Sequence, residues 1–331
     1  MRAEFVFLCY YNIAHRRPGR RCGFVKNSRR LFFRLSGRSL GGNAGIVLLC
    51  NKKMAVGRFY GHRRESGGPG VRTQGAAREQ ADAAERERQQ MNADFYSESF
   101  TVKAYECDAE ARMTPGAILR RAQQISTDQC DLLGLTNEVY ARTHTAFLLA
   151  KLAVEFYAPV RAGQCVTLAT RPSAPQRAVY GRYTTLCAQD GTVLSAVDSR
   201  WILVDTRTKR ILRRPPEDMP MPFVQPPVCE LDVSLVKGEA QPVAEETAFY
   251  TRCDQNRHMN NTYYADIVCD HVPLERIAAH APARLAVVYH SEVPMGASFT
   301  LLRAQTGENG WYFVGTDGEK KHFEANLTLT E

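Results

Sequence analysis

The chain has 331 residues, enough for two domains of ordinary size, and a formal net charge of +8. No apolar run reaches the roughly 18 residues that a membrane-spanning helix needs, and ten cysteines without a Cys-x-x-Cys pair argue for a reducing compartment rather than a disulfide framework. Residues 1–90 hold 19 Lys and Arg against 6 Asp and Glu, whereas the rest holds 24 against 29; a basic tail precedes a mildly acidic body, so the positive total says nothing about the body's partners.

The first segment, residues 1–90, combines arginine pairs with glycine-rich stretches and shows no sustained hydrophobic period. Three interpretations fit it: a targeting peptide, although serines are few; a nucleic-acid-binding arm, although interleaved aromatics are missing; and translated upstream sequence with Met91 as the natural start. We favour the third, because patterned sequence begins just after Met91, and in each case we expect disorder. The expected location is the cytoplasm, or the plastid if the segment is a transit peptide.

The next segment, residues 91–214, has the pattern of a folded unit. Residues 95–102 predict a strand, and Thr114 followed by Pro115 predicts the capped start of a helix of about 19 residues that stops at Gly134. The apolar positions at helical spacing are Ile118, Leu119, Ala122, Ile125, Leu132 and Leu133. Strands are then predicted at 146–156, 164–171, 179–188 and 193–205.

A proline-rich linker, residues 215–243, separates this unit from a second one, residues 244–331. Seven prolines lie between Pro215 and Pro242. The second unit repeats the order of the first, with predicted strands at 246–252, 284–293, 298–306, 311–315 and 322–329 and a helix from Asn261. Asp-Gly pairs at 190–191 and 317–318 predict hairpin turns.

The two units also share sequence. Residues 107–113 align with residues 253–259 at an offset of 146, and residues 160–163 align with residues 293–296 at an offset of 133. One strand, a long helix and an antiparallel sheet, present twice, predict α+β units in which each sheet curls around its helix.

Polar residues that could do chemistry lie in the second copy of this repeat. Asp254, Asn256 and His258 alternate, so in an extended stretch their side chains leave on one face. The repeat gives Asn260 the helix N-cap position, which puts His258 next to unpaired backbone N–H groups that can hold an oxyanion. Any one of the three could simply satisfy a local turn, but all three together favour a functional site.

Glu292 is a further candidate, and it aligns with Pro159 of the first unit. Considered alone, this glutamate would be interpreted as a solvent-exposed residue at the end of a strand. A Cys–His hydrolase is the competing chemistry. Cys253 neighbours Asp254 and should point the other way, and Cys269 lies inside the predicted helix, so we interpret both thiols as core residues. No histidine shows paired metal-ligand spacing, and we predict no metal and no cofactor.

The string Asp-x-Asn-x-His-x-Asn-Asn-x-x-Tyr at residues 254–264, followed by Tyr-x-x-Glu at 289–292, resembles the acyl-acyl carrier protein thioesterases over residues 94–331. The resemblance implies an α+β fold of two tandem hot-dog domains, each a long central helix wrapped by a curved antiparallel sheet. It implies that the second domain is catalytic and that the first, with a degenerate site, supplies much of the acyl pocket. Plant members have a Cys after the Glu, whereas this chain has Val293, which excludes a thiol mechanism at that position.

The resemblance implies hydrolysis of a fatty acyl-acyl carrier protein thioester by water. The implied catalytic set is Asp254, Asn256, His258 and Glu292. Glu292 and His258 would activate the water, in a division of labour that stays open. Asn256 would orient water or carbonyl. Asp254 would fix the geometry, although in related single hot-dog thioesterases a carboxylate near this loop acts as base or nucleophile, so its role also stays open. Backbone N–H groups at Asn260 and Asn261 would stabilise the oxyanion.

A run of cations at residues 207–214 is the candidate docking surface for acyl carrier protein, which is acidic; a solvated strand end is the alternative. Its members are Arg207, Lys209, Arg210, Arg213 and Arg214. The helix positions Ile118, Leu119, Ala122 and Ile125 face either the acyl chain or the sheet. Two other functions fit the loop, an acyl-coenzyme A thioesterase and a non-catalytic acyl-binding protein. We expect a monomer or homodimer with neither nucleic acid nor membrane as partner.

Overall fold

The computed structural model describes residues 94–228 and 230–331. The predictions made for residues 1–90, and for Met91 as the start, lie outside this part of the chain. Its strands are β1 (Tyr96–Thr101), β2 (Thr145–Phe156), β3 (Cys165–Pro172), β4 (Val179–Ala188), β5 (Val193–Asp205), β6 (Gln241–Thr247), β7 (Pro282–Tyr289), β8 (Ser298–Gln305), β9 (Gly310–Thr316) and β10 (Lys321–Leu329). Its α-helices are α1 (Pro115–Leu132), α2 (Asn137–Thr143), α3 (Tyr263–Asp270) and α4 (Leu274–Ala279).

The ten strands form one antiparallel sheet in the order β1-β3-β4-β5-β2-β7-β10-β9-β8-β6. The five strands of each unit lie together, and the two halves meet where β2 pairs with β7. The second half therefore has the strand order of the first half reversed, as expected when a pseudo-twofold axis relates the two units. The sheet carries one continuous apolar core that draws residues from both units.

Helix α1 forms where its sequence signals predicted it. The Thr114 hydroxyl accepts the Ala117 N–H at 3.1 Å, and Pro115 occupies the first turn, where no N–H is needed. The apolar stripe that includes Ile118 and Ile125 is buried against the sheet. The chain leaves the helix through Gly134 at φ +79°, a conformation that favours glycine.

The second unit corrects three of the sequence predictions. Strand β6 begins at Gln241, inside the predicted linker, because it pairs there with β8; the linker therefore ends before residue 241 rather than at 243. The predicted strand at 246–252 is β6 followed by a 3-10 turn, Tyr250–Arg252. The expected long central helix is divided into α3, eight residues long, and α4, because Pro273 interrupts the segment.

The helices of the two units contact each other across the pseudo-twofold axis. Arg120 of α1 forms an ion pair with Asp266 of α3 at 2.6 Å. The Asp266 side chain packs against the backbone of Gly116, where an added Cβ would lie 1.9 Å from an Asp266 carboxylate oxygen. Among the described residues, none of the helices has both the length and the apolar character needed to cross a membrane.

Candidate active site

A tight hairpin at residues 253–259 presents the polar side chains. Cys253 and Met259 form an antiparallel bridge at its base. At its tip the Asp254 carbonyl accepts the Arg257 N–H at 3.0 Å, and Arg257 has φ +66°, the left-handed residue that follows such a turn. An Asp254 carboxylate oxygen accepts the Asn256 N–H at 2.8 Å, which fixes the turn from inside.

The first unit builds the same hairpin at residues 107–113. Cys107 bridges Met113, the Asp108 carbonyl accepts the Ala111 N–H at 3.0 Å, and Ala111 has φ +57°. An equivalent bridge joins the returning arm of each hairpin to a later segment, Arg112 to Arg161 in one unit and His258 to Pro294 in the other. The offsets of 146 and 133 read from the sequence are therefore structural equivalences.

This geometry changes the reason why the polar residues lie together. Their alternation in the sequence predicts that Asp254, Asn256 and His258 share one face of an extended stretch, but residues 254–257 form a turn. The turn itself holds the Asn256 side chain in hydrogen-bond contact with the Asp254 carboxylate. Burial raises the pKa of the Asp254 carboxyl, and this hydrogen bond lowers it by a smaller amount. His258 follows on the returning arm.

Glu292 meets His258 across the neighbouring segment. His258 Nδ1 lies 3.1 Å from Glu292 Oε2, with both side chains largely buried. The approach is off the line of a hydrogen bond, and within the described part of the chain neither His258 Nδ1 nor Glu292 Oε1 has a hydrogen-bond partner. Two buried polar atoms with unused bonding capacity thus face one site.

Burial shifts the titration of both groups toward their neutral forms. It raises the pKa of Glu292 to about 7, and the Asp254 carboxylate adds to this rise. Burial also lowers the pKa of His258, against a smaller rise from Asp254. At neutral pH the imidazole is therefore neutral while Glu292 is close to half ionised, which is the condition for accepting a proton at that pH.

Lys209 is the positive charge that lowers the pKa of Glu292 against this burial. Lys209 belongs to the first unit, in the turn after β5, where Asp205 pairs with Thr145 at the start of β2. Because β2 is antiparallel to β7, this end of the sheet is also the one at which β7 ends and the segment containing Glu292 begins. The first unit thus contributes electrostatically to a site built in the second.

The start of α3 is organised differently from the prediction. The N-cap residue is Thr262 rather than Asn260, and the Asn260 side chain accepts both the N–H and the hydroxyl of Thr262. The backbone N–H of Asn260 donates to the Arg252 carbonyl at 2.9 Å and is not free for an oxyanion. The Asn261 N–H has no such partner among the described residues. Of the two backbone donors predicted for the oxyanion, Asn260 and Asn261, only the Asn261 N–H is therefore available.

The cysteines near the site behave as structural residues. The Cys253 thiol donates to the Ala248 carbonyl, and burial raises its pKa. Cys269 is in α3, and burial raises the pKa of its thiol strongly. A raised pKa disfavours the thiolate that a nucleophile needs. In the described part of the chain no cluster of three or more His, Cys, Asp or Glu side chains is arranged to hold a metal ion.

A cavity of about 140 Å³ opens beside the hairpin between α1 and the sheet of the first unit. Its lining from the second unit is Asp254, Asn256 and Asn261. The α1 residues that line it are Gln123, Ser126, Thr127, Cys130 and Asp131. They lie on a different side of the helix from the predicted apolar face. It is therefore a cavity shared by both units.

The predicted acyl-pocket residues divide into two groups. Leu119 and Ala122 line a smaller cavity of about 30 Å³ that also touches Asn261 and Thr262. Ile118 and Ile125 line neither cavity and are buried in the core. The polar lining of the cavity beside the hairpin was not predicted, because the prediction followed only the apolar positions of α1.

The predicted docking residues lie on the turn after β5 and the segment that follows it. All five are exposed: Arg207, Lys209, Arg210, Arg213 and Arg214. The Asp205 carboxylate shapes the turn by accepting the N–H groups of Arg207 and Thr208 at 2.8 Å. The cations are thus presented at the end of the sheet that carries Glu292.

Comparisons with known proteins match this arrangement. Residues 93–220 match the family of acyl-ACP thioesterase N-terminal domains, where ACP is acyl carrier protein, and residues 240–329 match the family of acyl-ACP thioesterase C-terminal domains. An oleoyl-acyl carrier protein thioesterase of Arabidopsis thaliana, named as chloroplastic, is 23% identical over 246 residues, 67% of this chain and 66% of that protein. The chain spans between about half and two thirds of the length of the curated relatives it matches.

Two solved structures show the same fold. An acyl-ACP thioesterase from Bacteroides thetaiotaomicron matches with a TM-score of 0.66 at 17% identity, over 73% of this chain and 99% of that one. A 12:0-ACP thioesterase from Umbellularia californica matches with a TM-score of 0.64 at 17% identity, over 71% of this chain and 97% of that one. The predicted fold class, two tandem hot-dog domains, is confirmed.

Proposed function

The chain belongs to the acyl-ACP thioesterase family, and from that premise we propose that it hydrolyses the thioester of a fatty acyl-acyl carrier protein, with Asp254, Asn256, His258 and Glu292 as the catalytic set. The observation that carries the proposal is the Glu292–His258 pair, 3.1 Å apart, beside a cavity that Asp254 and Asn256 line. A half-ionised carboxyl next to a neutral imidazole suits general base catalysis at neutral pH.

In the proposed reaction Glu292 takes a proton from water, and the water oxygen attacks the thioester carbonyl carbon. The new C–O bond forms a tetrahedral oxyanion. When that collapses, the C–S bond breaks and the proton held at Glu292 reaches the leaving sulfur, which gives a free acid and the thiol of the carrier. His258 Nδ1 and Glu292 Oε1, buried without partners among the described residues, supply the contacts for the water.

The oxyanion needs donors fixed in advance of the reaction. The Asn261 N–H is the backbone donor we assign to this role, because that of Asn260 is bonded to Arg252. Asn256 orients the water or the carbonyl through its side chain. Asp254 holds the turn and the Asn256 side chain by hydrogen bonds.

We assign different tasks to the two domains, the first containing β1–β5 and the second containing β6–β10. In the first domain Arg112 stands at the His258 position, and its guanidinium pairs with the Asp108 carboxylate at 2.9 Å and donates to the Ile277 carbonyl at 2.7 Å. An arginine at that place cannot accept a proton, so the hairpin of the first domain acts as a structural contact to the second. The first domain supplies most of the cavity and the second the chemistry.

The exposed cations of residues 207–214 support acyl carrier protein as the carrier, because they lie at the sheet end where the thioester would be presented. An acidic carrier would be attracted to them, and the attraction would weaken as salt rises. An acyl-coenzyme A thioesterase and an acyl-binding protein without activity are the alternatives. A cytoplasmic location and a monomeric or homodimeric state stay predictions.

The carrier is tested by comparing kcat/KM for the same acyl group on acyl carrier protein and on coenzyme A. We expect the carrier-protein substrate to be favoured at low ionic strength, and the preference to fall as salt is added. Replacing Arg210 and Arg213 by serine should reduce the preference without changing kcat on the coenzyme A substrate. A preference for coenzyme A identifies the first alternative, and no hydrolysis across acyl chain lengths identifies the second.

Replacing Lys209 by methionine tests the electrostatic link between the domains. Removing a positive charge that lowers the pKa of Glu292 should move the acid limb of the pH–kcat profile to higher pH. Because Lys209 is exposed and its charge is screened by salt, we expect the midpoint to move by well under one pH unit. Arg214→Met, the same loss of charge within the exposed run, is the control and should leave the limb in place.

A further inference from the structure

Arg182 is a buried cation in the cavity that adjoins the catalytic hairpin. It lies on β4, is 8% exposed, and lines the cavity with Phe223 and Trp201. Burial lowers the pKa of its guanidinium, but arginine stays charged in proteins. A buried charge is costly unless it is paired, so its partners show what the site is built to hold.

The partners of Arg182 are all neutral. Its Nη1 donates to the Gln129 amide oxygen at 2.5 Å and to the Thr170 hydroxyl at 3.1 Å, and both of these side chains are fully buried. Its Nη2 has only the Cys130 sulfur, at 3.5 Å. Within the described part of the chain no carboxylate pairs with Arg182, and Nε makes no hydrogen bond. The Nε–Nη2 edge, which can bind a carboxylate through two parallel bonds, is without an oxygen partner there.

A second polar group lies on the same face of β4. Tyr180 is two residues before Arg182, is 4% exposed, and its hydroxyl has no hydrogen-bond partner among the described residues. It packs in one cluster with Leu135 and Phe223, which both line the cavity. The acids that line the same cavity are Asp131 and Asp254, and among the described residues no ion pair joins either of them to Arg182. Arg182 is thus a cation in the cavity wall without a paired carboxylate in the described part of the chain, and the unpartnered Tyr180 hydroxyl lies in the cluster behind that wall.

The distance between Arg182 and the catalytic segment determines which part of a bound substrate Arg182 would contact. Arg182 pairs with Ser199 on β5, Ser199 with Leu152 on β2, and Leu152 with Val287 on β7. Three strand spacings separate β4 from β7, about 14 Å across the sheet. A group bound at Arg182 is therefore remote from the thioester carbonyl and belongs to the far part of the acyl chain.

We propose that Arg182, held in place by Gln129 and Thr170, binds a carboxylate at the far end of the acyl chain, so that the enzyme accepts half-thioesters of dicarboxylic acids. The proposal rests on the thioesterase function proposed above. A carboxylate satisfies the Nε–Nη2 edge and supplies the missing negative charge. A terminal methyl group does neither and leaves the guanidinium unpaired.

The test compares kcat/KM for two acyl carrier protein thioesters of equal length, one ending in a methyl group and one in a carboxylate. The ratio is taken within one preparation, so it does not depend on the folded fraction. Wild type should favour the carboxylate, and Arg182→Met should lower that ratio by roughly 10- to 100-fold, the effect of losing hydrogen bonds to a charged group. Arg182→Lys, which keeps the charge but not the fork, should fall between. Arg171→Met removes an exposed arginine from the neighbouring strand β3 and should leave the ratio unchanged.

Calorimetric binding of the product acids gives a readout that does not need turnover. The dicarboxylic acid should bind wild type more tightly than the monocarboxylic acid of the same length, and Arg182→Met should remove the difference. A wild type that favours the methyl-terminated thioester with a ratio unchanged in Arg182→Met overturns the subsite. Equal affinity for the two acids also overturns it. Absence of thioester hydrolysis with the expected difference in acid binding counts against the proposed function and supports the subsite.

Discussion

Glutamine in place of Glu292 is expected to lower kcat by roughly 10³- to 10⁴-fold, because the amide cannot accept a proton from water. The change keeps the shape of the side chain, so KM should change little. The measurement is steady-state hydrolysis of an acyl carrier protein thioester, followed through the released thiol. In the wild-type enzyme kcat should fall about tenfold per pH unit below a midpoint near 7, because burial raises the pKa of Glu292 to about 7 and only the ionised carboxylate can act as base.

The same substitution should increase stability at high pH. The pKa of Glu292 is higher in the folded chain, about 7, than its ordinary value of 4.5. As pH rises through this window the unfolded chain loses its proton first, so wild-type stability falls by up to about 3 kcal/mol and stays lower above pH 7. Glu292→Gln removes this loss and should be the more stable protein at pH 8, as measured by urea unfolding at pH 4 and pH 8.

Glu155→Gln is the matched control. Burial also raises the pKa of Glu155, but this residue lies at the opposite end of the central β2–β7 pair, where it pairs with Arg284. It should keep wild-type kcat and the acid limb. A Glu292→Gln enzyme with kcat within about tenfold of wild type would contradict the role of general base.

Much of the fold could be predicted because the signals are local. Thr114 and Pro115 mark the start of α1, and strands β4 and β5 have the predicted bounds. The repeat could be recognised because identical turns need similar residues, as Asp108 and Asp254 show. The break between α3 and α4 at Pro273 is also a local signal, but the prediction of a long second helix followed the repeat and not this proline.

The rest of the site depends on contacts that no local pattern encodes. The Asn260 N–H is unavailable to an oxyanion because it donates to the Arg252 carbonyl across the hairpin. That Lys209 acts on Glu292 depends on the pairing of β2 with β7. The Arg182 site could not be predicted either, since a strand arginine is usually exposed and its burial depends on distant segments, which place Gln129, Thr170 and Phe223 against the guanidinium.

Alanine in place of His258 is expected to lower kcat by roughly 10²- to 10³-fold, less than the change at Glu292, if the imidazole assists a carboxylate base. The pH profile separates the two roles. Burial, rather than the imidazole, raises the pKa of Glu292, so in His258→Ala the acid limb should stay near pH 7 at a lower plateau. If the acid limb came from His258, its midpoint would lie below pH 6.5, because burial lowers the pKa of His258 from that value. Such a limb would disappear in His258→Ala.

His280→Ala is the control for this substitution. His280 follows α4 and is half-buried outside the cavity, so its loss should change neither kcat nor the profile. A wild-type limb below 6.5 that vanishes in His258→Ala would assign the proton transfer to the imidazole and leave Glu292 to orient it. A limb near pH 7 that persists in His258→Ala and is lost in Glu292→Gln would assign the transfer to the carboxylate. The 3.1 Å between Nδ1 and Oε2 allows either division, but the buried carboxyl, with the higher pKa, is the stronger base of the two once ionised.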